Sequence, residues 1–400
     1  MDAEVVIVGA GPAGLATAAF LLHHRPELRG RVVVVEKRRF PREKPCAGAI
    51  GRRGEALLGS IGIEVGAPGV IVTGVAYRAR GRERVVREPG PVGRVVRRLE
   101  WDHALARAVV ARGAVLVEEA PVDTVRVASG HAEVSWRGGA VRARAVVGAD
   151  GVGSVVRKHA LGPIEPKWYA QAVEVDTPEV EGDAARDLLV FDTTRADLNG
   201  YTWHFPTLVG GEPLVCRGAY LLRPRGRGGV EIDRVLADEL EARGLRPGDY
   251  GKKRFAERGF DPLAPVSVPR VLLVGEASGI DAVTGEGIAQ ALQYGATAGR
   301  YLARRLATGA LGFEDFRREL GGASVGRDLR VRELGCELFY GQHREHLERF
   351  LLAQPEFIRV GLRHFSGRPW GAGPLLRASA GAAGWTLRWF VGGAPAPLAE

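Results

Sequence analysis

Cysteine is scarce in this chain: 400 residues hold three, Cys46, Cys216 and Cys336, far apart and odd in number. No Cys-x-x-Cys pair occurs, so the sequence indicates neither a zinc site nor a disulfide framework. Long apolar runs are lacking as well. No stretch of about 18 apolar residues occurs, so no membrane-spanning helix is predicted. The start, Met1-Asp2-Ala3-Glu4, enters its first apolar run without a basic segment and does not read as a secretory signal. The expected home is the reducing cytoplasm. A concentrated basic tract is also missing. Lys and Arg number 56 against 47 Asp and Glu. No dense basic run with interleaved aromatics stands out, so the excess reads as arginine spread over the surface and no nucleic-acid partner is expected. No metal site is expected either, since His343, Glu345 and His346 read as a solvated helix face. The string Gly322-Ala323-Ser324-Val325-Gly326 lacks the buried strand that a hydrolase nucleophile elbow needs.

Core-forming material is plentiful. Hydrophobic residues make up 46% of the chain, and the length implies two or more domains. Glu4 to Gly9 is an unbroken apolar run, as in a strand covered on both faces. Pro12 to His24 is expected to be a helix, with Leu15, Ala18, Ala19 and Leu22 on one apolar face. Arg31 to Glu36 is a second buried strand, which completes a βαβ unit. A helix over Trp101 to Arg112 and strands at Ala114–Val117, Ala145–Val147 and Val271–Val274 extend the same sheet. Residues 70–95 and 167–225 alternate instead, which argues for a mixed or antiparallel sheet. Beyond Tyr301 the pattern is helical, with Leu329, Leu334, Leu338 and Phe339 expected in the core.

The first βα turn reads Gly9-Ala10-Gly11-Pro12-Ala13-Gly14. Gly9 permits the tight turn, Gly11 lets the backbone approach a pyrophosphate, and Gly14 lets the helix pack close to the sheet. Free N–H groups at the helix start favour the phosphates, and Pro12 loses nothing in that first turn. Glu36 ends the next strand, 22 residues beyond Gly14, where a carboxylate can accept both hydroxyls of an adenosine ribose. NAD and FAD both fit this fingerprint.

Two further segments separate them. Gly148-Ala149-Asp150-Gly151-Val152-Gly153-Ser154-Val155-Val156-Arg157 resembles the Asp-Gly motif of the flavoprotein hydroxylases. Arg270 to Gly279 resembles that group's second ribityl-binding motif, with Glu276 where the group normally has Asp. Arg98 matches an arginine the group often places near the FAD phosphates or ribityl chain. Two more stretches resemble the geranylgeranyl reductase family of FAD-dependent oxidoreductases: Phe40-Pro41-Arg42-Glu43-Lys44-Pro45-Cys46-Ala47-Gly48, and Gly200-Tyr201-Thr202-Trp203-His204-Phe205-Pro206. The resemblance covers about residues 1–310.

That resemblance implies an α/β fold: a Rossmann-like FAD-binding domain, an inserted mixed β-sheet substrate domain and a helical C-terminal region. The expected divisions are 1–70, 96–165 and 262–312 for FAD, 71–95 and 166–261 for substrate, and 313–400 for the helices. FAD would be held by Gly9, Gly11, Pro12, Ala13, Gly14, Glu36, Lys37, Cys46, Ala47, Gly48, Arg98, Asp150, Gly275, Glu276, Gly285, Gly287 and Ile288. The start of a helix at Gly287 would favour negative charge on the reduced ring. Cys46, Tyr201 and Trp203 are the catalytic candidates, with His204 on the opposite strand face as a surface residue. The implied reaction is reduction of carbon–carbon double bonds in an isoprenoid or other apolar, lipid-like substrate. No second Gly-x-Gly-x-x-Gly follows a strand, so NADPH would bind transiently or another reductant would serve. A monooxygenase or halogenase of the same fold, and a non-catalytic electron carrier, are the alternatives. The tail, with Trp370, Trp385, Leu387, Trp389 and Phe390 among Arg363, Arg368, Arg377 and Arg388, suggests a peripheral membrane contact.

Overall fold

The computed structural model describes residues 2–224, 230–341, 343–370, 373 and 376–381. Its first sheet is built on the βαβ unit. Strands β1 (Asp2–Val8), β2 (Val32–Val35), β8 (Val115–Val117), β11 (Gly139–Gly148) and β18 (Val271–Leu273) run parallel in the order β18-β11-β1-β2-β8. Strands β9 (Val122–Val127), β10 (Ala132–Trp136) and β17 (Ser267–Val268) add antiparallel pairings. All four valines of β2 are buried, as a sheet covered on both faces requires.

Helix α1 (Pro12–His24) follows β1. Residues 12 to 22 are all buried, so the expected single apolar face gives way to burial all round. The cause is helix α5 (Ile288–Thr308), which packs along α1. A Cβ on Gly295 would stand 2.5 Å from the Ala16 Cβ, and one on Gly299 would stand 2.7 Å from the Phe20 Cβ. Since Gly295 meets residues 13–17 and Gly299 meets residues 17–21, the two helices run parallel. Helix α3 (Arg98–Ala111) also packs on α1 and begins one turn earlier than the sequence suggested.

The second sheet is mixed. Strands β5 (Gly74–Ala79), β6 (Arg82–Arg87), β12 (Trp168–Thr177), β13 (Leu188–Asp192), β14 (Gly200–Val209), β15 (Glu212–Pro224) and β16 (Lys253–Arg258) lie in the order β16-β12-β15-β14-β13-β5-β6. Only the β5–β13 pairing is parallel. Alternate residues divide its faces, as the period of two requires. Val173, Val175, Ala219 and Leu221 pack on helix α4 (Ile232–Glu241), whereas Tyr201, Trp203, Phe205 and Tyr220 face the other way. A small antiparallel sheet, β3 (Ala49–Gly51), β7 (Gly93–Val96) and β4 (Gly69–Val72), bridges the two large ones in sequence, and helix α2 (Arg52–Gly59) follows β3.

His204 is not the surface residue expected. Helix α4 covers it, with Glu239 at 2.9 Å and the Arg217 guanidinium 3.1 Å from its Nδ1. Burial pushes its pKa down.

Helices α6 (Phe316–Gly322), α7 (Ser324–Tyr340), α8 (Arg344–Ala353) and α9 (Pro355–Ser366) complete the described fold. Leu329 is buried, but Leu334 and Leu338 are 69% and 50% exposed, against expectation. Seven residues bring a helix back to nearly the same face, so Cys336 shares the buried side with Leu329 while Leu334 does not.

Candidate functional site

The three fingerprint glycines sit in different surroundings. Gly9 has φ +104°, and a Cβ there would lie 2.3 Å from the Ala149 carbonyl oxygen. A Cβ on Gly14 would lie 2.0 Å from the Gly9 carbonyl oxygen. Protein atoms alone therefore demand both glycines. Gly11 differs: it caps α1, and a Cβ there meets no atom within 4 Å. Its open space is the kind of cradle a pyrophosphate fills at a helix N-terminus. Pro12 and Ala13 are buried in the first turn, and Ala13 touches the turn at Gly275, whose φ is +62°.

Glu36 ends β2 against this loop and is 4% exposed. It accepts the Ala10 N–H at 3.0 Å and the Arg38 N–H at 3.2 Å. Lys37, next along, is exposed. Arg42, in the Phe40–Gly48 segment, has a role that its sequence position alone does not signal. Its guanidinium donates to the Ala10 carbonyl at 3.0 Å and to Asp102 at 3.1 Å, with Glu36 at 3.4 Å. The atom facing Glu36 is the buried Nε, 3.4 Å from Glu36 Oε1. A guanidinium held beside the open space at Gly11 fits an anionic ligand there. Arg98 is no surface arginine: it is buried and bidentate to Asp102 at 2.6 and 2.8 Å.

Asp150 closes its own turn, accepting from the Ser154 hydroxyl at 2.5 Å and the Val156 N–H at 3.1 Å. Burial raises its pKa. The Glu276 carboxyl reaches the same turn, 3.6 Å from where a Cβ on Gly151 would stand. The Gly9, Gly148 and Gly275 turns thus meet at the ends of adjacent strands β1, β11 and β18, the usual place for a ligand in such a sheet.

Beside them opens a cavity of about 820 Å³. Cys46, Ala47 and Gly48 line one part of it, and Gly285, Gly287 and Ile288 line another. Gly48 has φ +84°, and a Cβ on it would lie 2.0 Å from the Val96 carbonyl oxygen. The Cys46 N–H donates to Glu174 at 2.9 Å, and its Sγ accepts from the Gly48 N–H at 3.4 Å. Burial pushes the Cys46 thiol up, so it stays protonated at neutral pH. Burial likewise pushes Glu174 up to about 7.

Aromatic rings form the far wall. Tyr201 stacks on Tyr220 with centroids 5.0 Å apart, and Phe191 meets Tyr201 and Phe205 edge-on. The Tyr201 hydroxyl donates to the Thr284 carbonyl at 2.6 Å, which ties the sheet to the loop before α5. Trp203 both lines the cavity and fits tightly over Gly218, where a Cβ would stand 2.1 Å from the indole.

The remaining wall was not foreseen. Asp328, Gly335 and Phe339 of α7, Phe365 of α9 and then Trp370 close the cavity. Ion pairs hold this wall in place. Arg332 of α7 reaches Asp281 at 2.6 Å and Glu286 at 2.8 Å, and Arg53 of α2 reaches Glu286 at 2.7 Å. Trp385, Leu387, Arg388, Trp389 and Phe390 lie outside the described residues.

Comparison with known proteins places this geometry. The FAD binding domain family matches residues 2–185. A digeranylgeranylglycerophospholipid reductase from Methanothrix thermoacetophila is 29% identical over 367 residues, 84% of this chain and 88% of that protein. A menaquinone reductase from Mycobacterium tuberculosis is 28% identical over 326 residues, 76% of this chain and 77% of that protein. Among solved structures, a geranylgeranyl bacteriochlorophyll reductase-like protein from Thermoplasma acidophilum superposes with a TM-score of 0.68 at 18% identity, over 95% of this chain and 96% of that one. A flavin-dependent brominase shares the fold at a TM-score of 0.66 and 16% identity, over 97% of this chain and all of that one. The chain is an FAD-dependent oxidoreductase. Residues 2–185 match the FAD binding domain, and over most of its length the chain is similar to reductases of isoprenoid and quinone lipids and shares its fold with a flavin-dependent brominase.

Proposed function

We propose that this protein reduces carbon–carbon double bonds in an isoprenoid or similarly apolar substrate. One observation carries the reading: a cavity of about 820 Å³, walled by aromatic and aliphatic side chains, runs between the Cys46–Gly48 and Gly285–Ile288 turns. A large apolar pocket with few polar groups suits a lipid-like chain. Bound FAD, once reduced, supplies hydride, which no side chain can. The chain's own residues do the rest. Gly11 and the α1 N-terminus, with Arg42, receive the pyrophosphate, and Glu36 receives the ribose hydroxyls. Glu276 faces the ribityl chain. The turn from Gly285 to Ile288, at the start of α5, faces the ring. Tyr201, Trp203 and Phe205 orient the alkene and exclude water. NADPH or another reductant would supply the electrons.

The two curated relatives are named as reductases of a glycerophospholipid and of a quinone, which supports a lipid-like substrate. Fold alone does not separate this chemistry from halogenation, since the brominase shares it. A large apolar cavity beside the proposed flavin site speaks against a mere electron carrier. The test is anaerobic reduction of the bound FAD, then rapid mixing with a polyprenyl substrate or with oxygen. Flavin reoxidation by the polyprenyl compound, with a saturated product, is expected. A long-lived oxygen adduct without alkene-driven reoxidation would favour the monooxygenase reading.

A further inference from the structure

Glu257 stands on β16 in the cavity wall and is 6% exposed. The Tyr220 hydroxyl donates to the Ala282 carbonyl at 3.0 Å and stands 3.4 Å from Glu257 Oε2. With that proton held on the shorter contact, the Tyr220 oxygen keeps lone pairs to which a protonated Glu257 can donate. Glu276 and Asp281 oppose a negative charge on Glu257, and Lys44 and the Tyr220 hydroxyl favour one. Asp281 is itself engaged by Arg332. Burial, the largest influence, pushes the Glu257 carboxyl well up. The acid also points at the right place. A Cβ on Gly285 would stand 3.5 Å from Glu257 Oε2 and 3.4 Å from the Tyr201 hydroxyl oxygen. Gly285 belongs to the turn assigned above to the flavin ring.

We propose that Glu257 is the acid that completes the reduction, protonating one alkene carbon while the other receives hydride. This rests on the reductase reading. The step balances: hydride from reduced FAD brings two electrons and forms one C–H bond. The π pair forms the second C–H bond with the Glu257 proton. The Glu257 O–H bond breaks, and water restores its proton before the next turnover.

The test is Glu257→Gln, which keeps the volume and the neutral charge. Because the native group is uncharged, the variant is expected to fold with wild-type melting temperature and FAD content. Infrared spectroscopy of the FAD-free protein at neutral pH should show a protonated-carboxyl band that the variant lacks. Single-turnover reoxidation of reduced enzyme by a polyprenyl substrate should fall about 100-fold or more, the scale of general-acid catalysis, with KM little changed. A destabilised variant, an unchanged infrared spectrum or a wild-type turnover rate would each overturn the proposal. A wild-type protein that shows the band but reduces no apolar alkene overturns the reductase reading instead, and the catalytic step with it.

Discussion

Single residues at this site divide into those the protein needs and those a ligand needs. Gly11 belongs to the second kind. Its backbone is extended, φ −80° and ψ 178°, and no protein atom crowds its Cβ position. Gly11→Val is therefore expected to fold with an unchanged melting temperature yet lose FAD, its affinity falling about tenfold or more, a cost of ~1.4 kcal/mol or greater. Flavin absorbance after gel filtration checks this, and full retention would sink the cradle. Glu174 allows a pH test. Its folded pKa of about 7 lies above the ordinary value of 4.5. A raised carboxyl pKa means the contribution is full below pH 4.5 and is lost as pH rises through about 7. Glu174→Gln should remove that loss, on the order of 3 kcal/mol. Urea denaturation of both proteins from pH 4.5 to 8 measures the difference, and parallel curves would refute the assignment.

Among the elements, legibility in sequence followed range. The βαβ unit and its glycine turn could be read because a strand, a turn and a helix start within some 20 residues carry their own signals. The aromatic face of β14 could be read for the same reason. Contacts between distant elements could not. Burial of α1 on all sides depends on α5, more than 270 residues later. Covering of His204 depends on α4, and the surroundings of Glu257 depend on β15 and the loop before α5. Arg42 stood in view but had no assigned role, because its partners Ala10 and Asp102 are brought to it by folding. The α1–α5 contact makes a prediction at this scale. Gly295→Ala forces a Cβ to within 2.5 Å of the Ala16 Cβ and 2.6 Å of the Ala13 carbonyl oxygen. Overpacking of that kind costs about 1–3 kcal/mol, and FAD affinity should fall with it because α1 bears the phosphate turn. Gly59→Ala, at the exposed end of α2 with no atom within 4 Å, should be neutral or slightly stabilising. Thermal melts of the two variants compare them directly, and equal melting temperatures would deny the close helix contact.

For the whole molecule, the question is how the proposed apolar substrate would reach the cavity. No helix of the described residues is long and apolar enough to cross a membrane. The outer face of α7 carries Val331, Leu334 and Leu338, 70%, 69% and 50% exposed, at the i, i+3, i+7 spacing of one helix face. Val331 also lines the cavity, as does the half-exposed Trp370, and Arg327 and Arg330 stand exposed nearby in sequence. Such a stripe at a cavity rim suits contact with a lipid surface. The full chain is expected to sediment with anionic vesicles and to release as salt rises, because exposed charges are screened. Replacing Val331, Leu334 and Leu338 together by Ser should weaken the association while FAD content persists. Wild-type protein that ignores vesicles at low salt would end the idea.

The parallel seating of α5 on α1 also bears on biosynthesis. The turn at Gly9 rests against Ala149, Ala13 rests against Gly275, and Ala16 rests against Gly295. A nascent chain that has released only its first two hundred residues owns the phosphate turn, Ala149 and α3, but neither Gly275 nor α5. The α1 flank and the β11 edge that await α5 and β18 stay open to solvent until translation has passed residue 308. Pairings this distant in sequence form late and leave apolar surface uncovered meanwhile. Cofactor capture is thus a late event in the life of the polypeptide, and the N-terminal segment that carries the most recognisable motif spends that interval with one flank uncovered.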